Sequence, residues 1–182
     1  MKPTARKAKG SDFERWVAKA IIAAYNNAGY SFGQDCWRTP MSGGHPIESL
    51  RRPGDLQFSE QLSNLFPFVV ECKHQKGFRL EYLFRPNTLL RSFLAQALSQ
   101  ADNSGSRQPL LVVRSNWSIV LAVTLYRDYF DIINPILLLR MENIQWVVMS
   151  FNAFLEYWVS GRRAKTPVIT HDAKASFDCA AS

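Results

Sequence analysis

Apolar residues recur at Phe13, Trp16, Val17, Ala20, Ile21, Ala24 and Tyr25. That i, i+3, i+4, i+7 spacing predicts one face of an amphipathic helix beginning at Ser11 and stopping near Gly29. The periodicity then breaks. Residues 34–53 hold Thr39-Pro40, Ser42-Gly43-Gly44 and His45-Pro46, which predicts an irregular loop with short strands at its borders. A loop of that length is often functional. Residues 55–58 follow as a short strand and residues 67–73 as a second, with the polar residues 59–64 joining them into a hairpin-like pair. Leu90, Phe93, Leu94, Ala97, Leu98 and Ala101 share one face of another helix, with Asn87 as its cap and Gly105 beyond its end. Residues 110–114 and 118–124 predict strands joined by a tight polar turn, residues 135–141 and 144–150 another pair, and residues 151–159 a closing helix. Helix, strands, helix, strands, helix is the order of an α/β sandwich around a mixed sheet.

Composition narrows the class. A chain of 182 residues suits one domain with a full core. The expected division is a basic flexible arm over residues 1–9, a single domain over 10–160, and a mobile tail over 161–182, where patterning fades. Hydrophobic residues make up 47% and charged residues 20%, and no apolar run approaches the ~20 residues needed to span a bilayer. Lys2, Arg6, Lys7 and Lys9 lead into an amphipathic stretch containing Asp12 and Glu14, not the apolar segment of a secretory leader, so a cytoplasmic protein is expected. Cys36, Cys72 and Cys179 are odd in number and lack paired spacing, which argues against a disulfide framework and a four-ligand zinc site. The net charge of +7 favours a polyanionic partner, because each neutralised phosphate releases condensed counterions.

The chemistry centres on Asp55, followed sixteen positions later by Glu71-Cys72-Lys73. Alternation along a strand points Glu71 and Lys73 to one face and Cys72 to the other. Charges at the end of the Phe68-Val69-Val70 run need partners. Asp55 and Glu71 are hard oxygen ligands suited to Mg2+, which keeps waters for substrate and nucleophile. Lys73 beside them would orient a water or stabilise charge on phosphate.

Pro53-Gly54-Asp55 and Glu71-Cys72-Lys73 resemble the two halves of the PD-(D/E)xK nuclease motif. Gly10-Ser11-Asp12-Phe13-Glu14-Arg15 is similar to the opening helix of archaeal and phage-type Holliday junction resolvases. Residues 38–44 resemble that family's Ser-Gly-rich segment. The resemblance covers residues 9–125 and implies a restriction-endonuclease-like core, with a central mixed β-sheet flanked by helices. It implies a metal-dependent endodeoxyribonuclease acting on branched DNA as a homodimer, in a bacterial, phage-infected or archaeal cell. Its metal, Mg2+ with Mn2+ able to substitute, would be held by Asp55, Glu71, the Cys72 carbonyl and Glu14. Ser42 and Gln96 would be auxiliary catalytic residues. The pattern departs at Gly54, which separates Pro53 from Asp55 and would only loosen the turn. Residues 126–160 extend past a minimal resolvase domain, which bears on junction specificity more than on nuclease chemistry.

Each residue has a plainer alternative. Ser11 and Glu14 form a capping-box pattern that needs no metal. Glu71 and Lys73 fit a surface pair, and Asp55 fits a turn after Pro-Gly. Ser42 fits a flexible loop, Gln96 a surface helix position, and His45 and His74 incidental histidines. Lys9, Arg15, Lys19, Arg38, Arg51, Arg52, Lys76 and Arg79 bracket the acidic centre, as DNA-binding groups should if phosphates are to approach carboxylates. Trp16, Trp146 and Trp158 are expected in the core, and Trp37 and Trp117 against DNA or a second subunit. A nuclease on other DNA forms, as in restriction or recombination, and a non-catalytic DNA-binding module with the same fold are the alternatives.

Overall fold

The computed structural model describes residues 5–39, 53–76, 78–79, 81–84, 88–105, 107–115, 119–126, 137–141 and 143–161. Helix α1 spans Ala5–Asn27, so residues 5–9, expected as an arm, are helical. Ala5, Arg6, Lys7, Ala8 and Lys9 are all strong helix formers, and propensity carries the helix back past Ser11. Gly29 closes it with φ 89°.

Strands β1 (Cys36–Arg38) and β2 (Leu56–Phe58) pair antiparallel as a separate two-stranded sheet. The expected hairpin between β2 and β3 (Phe68–His74) is therefore corrected, because β2 spends its ladder on β1. The residues between β2 and β3 fold instead as helix α2 (Glu60–Leu65), capped by the Ser59 hydroxyl, which accepts from the Leu62 N–H at 3.2 Å. Six residues are too few to display a helical period, so only the cap could have announced it.

Helices α3 (Glu81–Phe84) and α4 (Thr88–Asp102) follow, then β4 (Gln108–Arg114), β5 (Leu121–Leu125), β6 (Leu137–Met141), β7 (Ile144–Ser150) and α5 (Phe151–Gly161). The main sheet has the order β3-β4-β5-β7-β6. Its β3 and β4 are parallel, joined by the crossover through α4, and the remaining neighbours are antiparallel. The sheet is covered on both faces, as a parallel pair requires. On one side Val17, Ile21 and Tyr25 of α1 and Phe154 and Trp158 of α5 pack on Phe68, Val70, Leu110 and Val112. On the other, Leu90, Phe93, Leu94 and Ala97 of α4 pack on Leu111, Val113, Val123 and Val148. This is the predicted face of α4, and Asn87 lies outside the described residues.

Trp146 and Trp158 are in the core as expected. Trp16 is not: it is 40% exposed. Here α1 crosses the end of β3, and the rings of Phe13 and Phe151 are what Trp16 rests against.

Candidate active site

Strand β3 forms one edge of the main sheet, so alternate backbone groups on it face away from β4. The Asp55 N–H donates to the Val70 carbonyl at 2.8 Å, and the Cys72 N–H donates to Asp55 Oδ2 at 2.8 Å. Within a strand the N–H and C=O of one residue leave the same side, so the Cys72 carbonyl projects from that edge as well. Asp55 is thus held by main chain and side chain together, at the junction of the two sheets.

The turn delivering Asp55 is fixed from several directions. The Thr39 N–H donates to the Asp55 carbonyl at 2.8 Å, and Thr39 Oγ1 donates to the Gly54 carbonyl at 2.8 Å. Gln57 Nε2 donates to Thr39 Oγ1 at 3.0 Å and to the Pro53 carbonyl at 3.1 Å. Gly54 has φ 85°, and a Cβ there would stand 3.0 Å from Val69 Cγ1 and 3.1 Å from the Val70 carbonyl oxygen. The expectation that this glycine loosens the turn is corrected. It is the residue that lets the turn press against β3. Sequence reasoning missed Thr39 and Gln57. Gln57 shares a strand face with Asp55, a readable signal, but nothing in the sequence links Thr39 to a residue sixteen positions away.

Glu71 is 1% exposed. Its Oε1 lies 2.5 Å from Lys73 Nζ, while its Oε2 is buried and has no hydrogen-bond partner among the described residues. Lys73 Nζ also donates to Gln96 Oε1 at 2.9 Å and lies 5.5 Å from the centre of the Phe93 ring. Both of those residues stand on α4, so the helix after the second motif half restrains the ammonium, and Gln96 falls in the site. Glu14 is 9% exposed and pairs with the guanidinium of Arg38. Ser11 lies within α1, not at its start, so the capping-box alternative for Glu14 does not hold.

Crowded carboxylates disturb each other. The Asp55 carboxyl is pushed up to about 7, first by burial and then by the Glu71 charge; the Cys72 N–H opposes the rise, Glu14 adds to it and Lys73 subtracts. Burial raises the Cys36 thiol to about 12 and the Cys72 thiol well above its ordinary value, so neither is primed as a nucleophile.

The fit to a divalent cation rests on these donors. Among the described residues no three His, Cys, Asp or Glu side chains are gathered as a metal cluster. Two carboxylates and a strand-edge carbonyl do meet, and Mg2+ asks for no more protein than one or two carboxylates, filling its shell with water and substrate phosphate. The unpartnered Glu71 Oε2 and the raised Asp55 are both signs of negative charge awaiting a cation. These residues fit the ion.

The remaining predicted groups divide. Lys9, Arg15, Lys19, Lys76 and Arg79 are exposed; Arg15 pairs with Asp12, and Arg38 is turned to Glu14. His74 is half-buried, 5.5 Å from Phe13 between ring centres. Trp37 is exposed on β1. Ser42, His45, Arg51, Arg52 and Trp117 lie outside the described residues.

A mixed five-stranded sheet flanked by helices, with Asp55 and Glu71-Cys72-Lys73 meeting at the edge of its parallel pair, is the restriction-endonuclease-like architecture of PD-(D/E)xK nucleases. A model of the family described as "Phage putative PDDEXK endonuclease" matches residues 5–175, and the chain belongs to that family. No curated protein and no solved structure matches the chain. Among the described residues no helix is long and apolar enough to cross a membrane.

Proposed function

We propose that the chain is a Mg2+-dependent endodeoxyribonuclease with Asp55, Glu71 and Lys73 at its centre. One observation carries the reading. Lys73 Nζ is 2.5 Å from Glu71 Oε1, the other oxygen of that carboxylate is buried without a hydrogen-bond partner among the described residues, and the Asp55 carboxylate beside it is pinned to the Cys72 N–H. Such an arrangement is costly for a structural purpose and useful for handling phosphate.

Asp55, Glu71 and the Cys72 carbonyl would hold the cation, with Mn2+ able to substitute. When bound, the ion polarises a phosphate oxygen and acidifies water. Lys73, steadied by Glu71, Gln96 and the Phe93 ring, keeps its ammonium where negative charge accumulates on the phosphorus oxygens as the bond to the leaving oxygen breaks. Gln96 acts through Lys73, and Thr39 and Gln57 act through the Gly54–Asp55 turn, so these are positioning residues. Glu14 adds negative field at Asp55 and fixes Arg38.

The narrower proposal is a four-way junction cut by a homodimer. It is supported by the likeness of residues 10–15 and 38–44 to junction resolvases and by the burial of Glu14 beside the site.

The test is cleavage of four-way junction, flap, duplex and single-stranded DNA with Mg2+, Mn2+ or EDTA. Asp55→Ala and Glu71→Ala are expected to retain DNA binding and lose cleavage by at least about a thousandfold, the scale of removing an essential electrostatic group. Turnover retained in both variants sinks the mechanism. Symmetric nicking confined to the junction supports the resolvase reading, and equal cutting of other forms removes it while keeping the nuclease.

A further inference from the structure

Lys73 faces α4, but the opposite face of the same sheet ends in a second cluster that the cleavage chemistry does not use. His74 and Arg114 are register partners at the C-terminal ends of the parallel strands β3 and β4. Alternation places both side chains on the α1 side of the sheet, away from Lys73. The His74 ring lies 5.5 Å from Phe13; Phe13 stacks on Trp16 at 6.0 Å with 8° between planes; and Trp16 leans on Phe151 at 6.1 Å. The Phe151 N–H donates to the Val120 carbonyl, and β5 runs beside β4 with Leu121 opposite Val113. Arg114 thus lies beside His74 in the register, one position beyond Val113, on the sheet face that carries the Phe13, Trp16 and Phe151 rings.

Two features of this cluster ask for a ligand. Among the described residues Arg114 Nε is buried with no hydrogen-bond partner, and no carboxylate forms an ion pair with the guanidinium. A part-buried guanidinium is costly until an anion completes it, and its planar fork matches phosphate. Trp16 is 40% exposed while its ring is braced by two others, a rigid apolar face that loses little freedom on binding. An aromatic face beside a phosphate-binding arginine holds a nucleotide whose base is not stacked in a duplex.

We propose that Trp16 and Arg114 form a nucleotide subsite on the α1 face, in which an unpaired base stacks on Trp16 and its phosphate is held by Arg114. The substrate class is then DNA with an unpaired nucleotide close to the cut, such as a flap or an opened branch point. This assignment rests on the nuclease reading for its substrate, and a binding measurement tests it separately.

The full chain in EDTA is titrated against a duplex, the same duplex carrying a single-stranded flap, and the single strand, with 2-aminopurine at the unpaired position. Wild type is expected to bind the flap about tenfold tighter than the duplex and to quench the 2-aminopurine, in line with stacking of one base. Trp16→Leu, which keeps apolar packing, loses the preference and the quench; Trp16→Phe keeps most of both. Arg114→Gln weakens flap binding and lowers the salt dependence by about one phosphate contact. Equal affinity for flap and duplex, an unquenched probe, a preference that survives Trp16→Leu, or an unchanged salt slope in Arg114→Gln overturns the subsite. If Trp16→Leu fails to fold, the wild-type quench and Trp16→Phe decide the matter. Flap preference without Mg2+-dependent cutting of any DNA keeps the subsite and defeats the nuclease reading, and cutting without flap preference does the reverse.

Discussion

Gly54 faces two demands, a φ of 85° and a Cβ position crowded by Val69 Cγ1 at 3.0 Å and the Val70 carbonyl oxygen at 3.1 Å. Left-handed backbone costs an L-residue roughly 1–2 kcal/mol, and overpacking typically adds 1–3. Gly54→Ala is therefore expected to lose about 2–5 kcal/mol in urea unfolding and to displace Asp55, with cleavage falling alongside. Gly105 also has positive φ, 69°, but open space around it, and Gly33 has open space with no such φ. Gly105→Ala should cost about 1 kcal/mol and Gly33→Ala nothing. If Gly54→Ala proves no worse than Gly105→Ala, the turn does not hold Asp55 against β3. Asp55 itself costs stability when it ionises in this setting. Its folded pKa of about 7 stands above the ordinary 3.8, so the native state keeps the proton longer than the unfolded chain does. The resulting stability is present at low pH and lost as pH rises from 4 through 7. Asp55→Asn has no charge to bury. In EDTA at pH 8 it should melt higher than wild type, by on the order of 1–3 kcal/mol of stability, with the gap closing toward pH 4. A variant that melts lower at pH 8 would mean that its surroundings favour the ionised carboxylate.

Helix α1 shows how one misplaced boundary changes the meaning of a residue. A start at Ser11 makes Glu14 a cap, whereas a start at Ala5 puts Ser11 in the helix interior and leaves Glu14 free to reach Arg38. Ser11→Ala separates the two. A lost capping box costs about 1 kcal/mol, while replacing an interior serine by alanine gains a few tenths; no loss in a thermal melt is expected, and a loss near 1 kcal/mol would restore the cap. Elements with a long period were legible: α4, the strands around it and the α/β order all follow from residues such as Leu90, Phe93, Leu94 and Ala97. Of the candidate site, Asp55 and Glu71-Cys72-Lys73 were legible from their chemistry and spacing, whereas Gln96 and Glu14 entered only through likeness. What escaped depended on distant pairing. β2 joins β1 across the long loop, Thr39 reaches Gly54 and Asp55, and Arg114 meets His74 only through the parallel register. None of these leaves a mark in a window of neighbouring residues.

Across the whole molecule, the site is also a seam. Asp55 leads into the two-stranded sheet and Glu71 stands on the edge strand of the five-stranded one, so under the proposed function a cation shared by the two carboxylates would tie the sheets together. Ligand bound only to the native state adds RT ln(1 + [L]/Kd), about 2.7 kcal/mol at a hundredfold excess over Kd. For a chain of this size that is a rise in Tm of roughly 5–10 °C. If Asp55 is a ligand, the gain should depend on pH, because the ion would need Asp55 ionised and would compete with a proton held up to about 7. Well below that value the apparent affinity falls about tenfold per pH unit, so at fixed Mg2+ the rise in Tm should be full at pH 8 and clearly smaller at pH 6. Metal-free stability runs the other way, falling as Asp55 ionises. That fall is common to the melts with Mg2+ and with EDTA, so their difference is the binding gain alone; it widens with pH, and Glu71→Ala should remove it. Equal Mg2+ gains at the two pH values would take Asp55 out of the metal shell and return it to the role of a turn residue.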